Sequence, residues 1–145
     1  MTALPASGKE DVVGAPDRYT HVVVATLADI DELEHVSNLV YLRWVLDVAR
    51  AHSDARGWDP AAYRRLGATW VVRRHEIDYV RSAKLGDEIA VTTWVEAWKR
   101  VSCIRRTELA LRDGSPLARA ATTWAFVELG GGRPTRVPDE LVSRF

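Results

Sequence analysis

The stretch from about Val36 to Arg50 constrains the fold most. Val36, Leu39, Val40, Leu42, Trp44, Val45, Leu46, Val48 and Ala49 cover most of the circumference of a helix. Its polar positions, Arg43, Asp47, Arg50 and Asp54, recur three and four apart and so form one narrow stripe. A helix with so little polar surface must be wrapped by other elements. Just before it, Asp29 to Asn38 gathers carboxylates, one imidazole and one amide. Free backbone N–H groups and the positive end of the helix dipole collect at such a helix start. Chemistry is therefore expected there.

A length of 145 residues suits a single domain. Acids and bases balance at 20 each, so neither a nucleic-acid surface nor an acidic tail is implied. Cys103 is the single cysteine, which excludes an internal disulfide and a thiolate-cluster metal site. His21, His35, His52 and His75 lack metal-ligand spacing, so no metal is expected. No stretch is apolar enough to span a membrane, and no basic start followed by an apolar run marks a signal peptide. A cytoplasmic protein is the expectation.

Residues 1–17, with Pro5, Gly8, Gly14 and Pro16, read as a mobile tail before a single domain over residues 18–145. Tyr19 to Leu27 is β-branched and reads as a buried strand. The acidic loop and long helix follow, to about Asp54, where Gly57 stops the helix. Asp59-Pro60 starts a short helix to about Leu66. Strands are expected from Thr69 to Val80, along the alternation Ile89, Val91, Thr93, Val95, Ala97, along Val101, Cys103, Thr107, Leu109, Leu111, and from Leu117 to Leu129. Gly86-Asp87, Lys99-Arg100 and Asp113-Gly114 mark the reversals, and Pro138 opens a last helix, Asp139 to Arg144. One strand, one buried helix and a meander of four antiparallel strands make an α+β fold, a sheet of about five strands curled around a central helix. The open edge of such a sheet invites a second copy, so a homodimer or homotetramer is expected.

Four segments resemble the hotdog-fold acyl-CoA thioesterases of the 4-hydroxybenzoyl-CoA thioesterase type. Asp29-Ile-Asp31-Glu-Leu-Glu-His35-Val-Ser-Asn38 resembles that family's Asp-x-Asp-x-x-Gly-His-x-Asn-Asn, and Tyr41-Leu-Arg-Trp44 continues it. Ile77-Asp-Tyr79-Val-Arg-Ser-Ala83-Lys-Leu-Gly86-Asp87 resembles Tyr-x-x-Pro-Ala-x-x-Gly-Asp. Arg133-Pro134 with Val137-Pro138-Asp-Glu-Leu141 resembles the C-terminal signature. The likeness runs from Tyr19 to Leu141. Glu34 departs from it where Gly is usual, Ser37 replaces the first Asn, and Ser82 replaces a common Pro.

The resemblance implies a hotdog fold and hydrolysis of an acyl-CoA thioester to acid and thiol, with Asp31 as nucleophile or general base. The Asn38 backbone N–H would polarise the carbonyl, as helix-start donors do for a developing oxyanion. His35 would orient Asp31 or touch substrate, and Tyr41 would line the acyl pocket. Trp98-Lys99-Arg100 resembles the family's basic hairpin against coenzyme A phosphates, with Arg81 and Lys84 as further candidates. No cofactor is implied beyond the coenzyme A of the substrate. An acyl carrier protein thioester is the alternative substrate, and a non-catalytic acyl-thioester binding module the alternative from another class. Against each role stands a plainer one: Asp31 as a helix cap, His35 as a bonded loop residue, Lys99 and Arg100 as a solvated turn, Tyr41 as core.

Overall fold

A computed structural model describes residues 15–145. Most of the expected tail, residues 1–14, lies outside the described residues; its end does not fit that expectation. Asp17 is pinned by a bidentate ion pair to Arg56, at 2.7 and 2.9 Å.

The strands are β1 (Tyr19–Val24), β2 (Ala68–Tyr79), β3 (Glu88–Trp98), β4 (Ser102–Leu111) and β5 (Pro116–Glu128). The helices are α1 (Asn38–Ala55), α2 (Pro60–Leu66) and α3 (Asp139–Val142). All strands pair antiparallel in one sheet of order β1-β3-β4-β5-β2. The expected meander is thus corrected. The hairpins β3–β4 and β4–β5 form, but β2 pairs with β5 and the β3 edge goes to β1. The segment after Tyr79 crosses the end of the sheet instead of turning back on β2. Its Val80 and Arg81 N–H groups both donate to Leu117 O, and Gly86 N–H bonds Ala25 O.

The buried first strand is corrected too. β1 is a sheet edge, and Val22 and Val24 are 62% and 52% exposed on its outer side. Alternation explains this: an edge strand covered on one face exposes every second residue.

α1 lies across the sheet through Val40, Tyr41, Trp44, Val45, Val48, Ala49 and His52. Arg43, Arg50 and Asp54 stay exposed along the expected stripe, and Leu39 is exposed beside them. One apolar cluster joins the N-terminal half of α1 to Ile89, Val91, Leu109 and Leu117. A second joins Phe126, Leu141, Val137 and Tyr63 at the other end. On the sheet a polar belt also faces the helix. Thr93, Arg105, Thr107 and Thr122 are all buried. Thr93 stands opposite Thr107, and Arg105 opposite Thr122.

Candidate functional site

The start of α1 is built by the loop before it. Thr26 opens a 3-10 turn, Leu27–Asp29. The buried Asp29 carboxylate accepts from Thr26 N–H at 2.9 Å, from Thr26 Oγ1 at 3.1 Å and from Arg43 Nη2 at 2.8 Å. Burial opposes its charge, but these donors outweigh it and hold its pKa below the usual carboxylate value. Asp29 O accepts from Ser37 N–H at 2.9 Å. Asp29 therefore ties the loop to the helix, with both carboxylate oxygens engaged.

Asp31 is placed differently. A bridge between Ile30 and Val36 folds the loop on itself. Asp31 N–H donates to His35 O at 2.9 Å, and Asp31 O accepts from Glu34 N–H at 3.0 Å. Its Oδ1 accepts from Leu33 N–H at 2.9 Å and, at 3.5 Å, from His35 N–H. Oδ2 takes no partner among the described residues. The cap of α1 is Ser37, whose hydroxyl accepts from Leu39 N–H at 3.3 Å. The departure Ser37 thus supplies a good cap, and Asp31 is not required for that task. Glu34 has φ 63°, the one positive-φ residue other than glycine among the described residues. This explains why glycine is usual there: the left-handed region crowds any Cβ.

Asn38 is the first residue of α1. Val40 N–H goes to Ser37 O and Leu39 N–H to Ser37 Oγ, while Asn38 N–H has no partner among the described residues. Asn38 O accepts from Tyr79 Oη at 3.2 Å. His35 meets Asp31 through its backbone, and its ring makes no hydrogen bond among the described residues. Tyr41 is buried, and its hydroxyl accepts from Ala83 N–H at 2.8 Å. Ala83 O in turn accepts from Val36 N–H at 2.9 Å. That clamp holds the segment 80–87 against the helix start and brings the exposed Arg81 and Lys84 to the Asp31 end.

Lys99 and Arg100 do not join them. They are exposed on the β3–β4 hairpin, at the opposite end of the 11-residue β3. Such a strand is about 35 Å long.

Sequence reasoning missed a polar chain at the far end of α1, part-buried at Arg56 and Asp17 and buried at His52 and Arg105. Arg56 binds Asp17, and Asp17 Oδ2 meets His52 Nε2 at 2.8 Å. His52 Nδ1 meets Arg105 Nη1 at 2.9 Å, and Nη1 also donates to Thr93 Oγ1 at 3.1 Å. The signal was available: Arg105 occupies the inward register between Cys103 and Thr107. Cys103 nearby is no nucleophile, because burial pushes its thiol up to about 12.

The helix on a curled antiparallel sheet, with the loop site at the helix start, is the hotdog fold of thioesterases. Among solved structures, a 1,4-dihydroxy-2-naphthoyl-CoA thioesterase from Synechocystis superposes with a TM-score of 0.81 at 17% identity, over 88% of this chain and 95% of that one. An acyl-ACP thioesterase from Bacteroides thetaiotaomicron gives 0.80 at 25% identity, over 87% of this chain and 52% of that one. The chloroplastic acyl-(acyl-carrier-protein) hydrolase FATB3 of Cuphea viscosissima is 31% identical over 90 residues, 61% of this chain. The match spans only 22% of that plant protein. Residues 18–145 match the model of the acyl-ACP thioesterase N-terminal domain, and the chain belongs to that family.

Proposed function

We propose that this chain hydrolyses acyl thioesters at the start of α1. One observation carries the reading: the loop that spends Asp29 on structure leaves Asp31 Oδ2 and the Asn38 N–H without partners among the described residues. The first is a base or nucleophile, and the second a donor at the positive end of a helix. As base, Asp31 takes a proton from water while the oxygen attacks the carbonyl carbon. As nucleophile, it forms an anhydride that water then opens. In both routes the Asn38 N–H stabilises the oxyanion, the C–S bond breaks, and acid and thiol leave.

Coenzyme A thioesters are the first substrate class of this reading, supported by the cations Arg81 and Lys84 at the same end. Carrier-protein thioesters are favoured by the family match and by Leu33, Leu39, Val80 and Leu85, exposed on the segments around the helix start. Two substrate series decide between them: thiol release from acyl-CoAs and from the same acyl groups on a carrier protein. Turnover of neither, with tight binding of either, would identify a binding module and reject hydrolysis.

A second copy completes the reading. β2 is a 12-residue strand paired on one side only among the described residues, the kind of edge that recruits another strand. Antiparallel pairing of β2 with itself reverses the ends, so the Lys99–Arg100 end of one subunit approaches the Asp31 end of the other.

A further inference from the structure

Beyond the loop site, the C-terminal half of α1 overhangs a cavity of about 500 Å³, a size that suits a small organic ligand. Its wall is mostly aromatic: Trp58, Trp70, Trp98, Trp124 and Phe145. One wall residue is out of keeping. Arg105 is only 7% exposed, and among the described residues no carboxylate touches its guanidinium. Among the described residues its hydrogen bonds leave through Nη1 alone, to the neutral acceptors His52 Nδ1 and Thr93 Oγ1. Nε and Nη2 take no acceptor among the described residues. A buried cation without a counter-ion is costly, and such groups are ordinarily paired. The indole N–H of Trp124, on the same wall, is also buried without a partner among the described residues. Arg50, Arg64 and Asp54 line the cavity on the exposed side, with Arg50 also 3.6 Å from Asp47.

We propose that this cavity binds an amphipathic monocarboxylate, its apolar body among the tryptophans and its carboxylate on Arg105. The aromatic wall supplies the area that a hydrocarbon or aryl group buries. The guanidinium supplies charge-assisted hydrogen bonds where water is largely excluded. Asp17, the nearest carboxylate along the polar chain, is already committed to Arg56 and His52, so it does not neutralise Arg105 directly. This site does not depend on thioester hydrolysis.

The test is titration of the whole chain with octanoate and phenylacetate, and with octanamide and phenylacetamide, which have the same bodies and no charge. Quenching of the wall tryptophans and calorimetry report binding. The wild-type protein should bind each acid at least about tenfold more tightly than its amide, the scale of one charge-assisted contact. Arg105→Gln should erase that preference and leave amide binding unchanged. Equal affinity for acid and amide in the wild-type protein overturns the proposal, and that comparison needs no variant to fold. Absence of saturable binding by either acid, or full acid affinity in a folded Arg105→Gln protein, overturns it as well.

Discussion

Arg105 donates to Nδ1 of His52 at 2.9 Å, and that bond decides which proton the ring carries. A guanidinium cannot accept, so Nδ1 must. The neutral His52 ring therefore holds its proton on Nε2 and gives it to Asp17 at 2.8 Å. Burial presses the pKa of His52 down, with Arg105 adding to that effect and Asp17 opposing it. An unfolded chain binds a proton on this histidine near its ordinary value, where the folded one does not. Stability contributed by the neutral ring is thus present above about pH 6.5 and is lost as pH falls below it. Burial lowers His21 and His75 in the same direction. Urea denaturation at pH 7 and pH 5 should give lower stability at pH 5. In His52→Gln the fall should be smaller. An equal fall in both proteins would remove His52 from the effect.

Asp17 acts lower on the pH scale. The Arg56 guanidinium, ahead of the opposing burial and of His52, holds its carboxyl at about 2. Its contribution is present above the unfolded value, near pH 4, and is lost as pH falls toward 2. With 30% of the Asp17 side chain exposed, water screens the pair. Asp17→Asn should cost about 1 kcal/mol at pH 7 and close to nothing at pH 2, read from denaturation midpoints.

Asp31→Asn keeps the shape of the loop and an oxygen for Leu33 N–H. The thiol-release kcat should fall at least about a hundredfold, the scale of a positioned base, with an unchanged melting temperature. Near wild-type turnover would move the chemistry elsewhere.

Glu34 tests the backbone rather than the chemistry. Its φ of 63° disfavours a side chain by roughly 1–2 kcal/mol, partly offset by the larger unfolded-state entropy of glycine. Glu34→Gly should stabilise by up to about 1 kcal/mol. Glu34→Val, β-branched at a positive φ, should destabilise. The reverse order of melting temperatures would contradict the strain.

For the basic hairpin, the Lys99→Ala, Arg100→Ala double variant should raise KM for acyl-CoA roughly tenfold with kcat held, since phosphate contacts bind ground and transition states alike. KM for an acyl-N-acetylcysteamine should not move. Because the hairpin lies at the far end from Asp31 within one subunit, this result would also require a second subunit. A change in neither substrate would leave Arg81 and Lys84 as the phosphate contacts.

Local signals were legible in the sequence, and long-range choices were not. The helical period of Val40 to Ala49, the Asp59-Pro60 start and the Asp113-Gly114 turn all lie where they were read, because each acts within a few residues. The strand order was not legible. β2 pairs with β5 and not with β3, and the segment 80–87 between β2 and β3 crosses the sheet end, tied to the helix start where Ala83 bonds Tyr41 and Val36, contacts distant in sequence. The loop site was legible as a motif, while the separate duties of Asp29 and Asp31 emerge only from their hydrogen bonds. Arg105 had a readable signal, a charge in a core-facing register. Its surroundings did not, since the cavity wall draws on both halves of the chain.

The length of α1 acts as a ruler. Its 18 residues span about 27 Å, and Ser53, on the cavity wall, stands about 22 Å along the axis from Asn38. A short acid seated on Arg105 cannot also reach the Asp31 loop of the same subunit. Within one subunit, the two ends of the helix can therefore fill independently, and only a molecule as extended as an acyl chain on a long flexible arm could touch both at once.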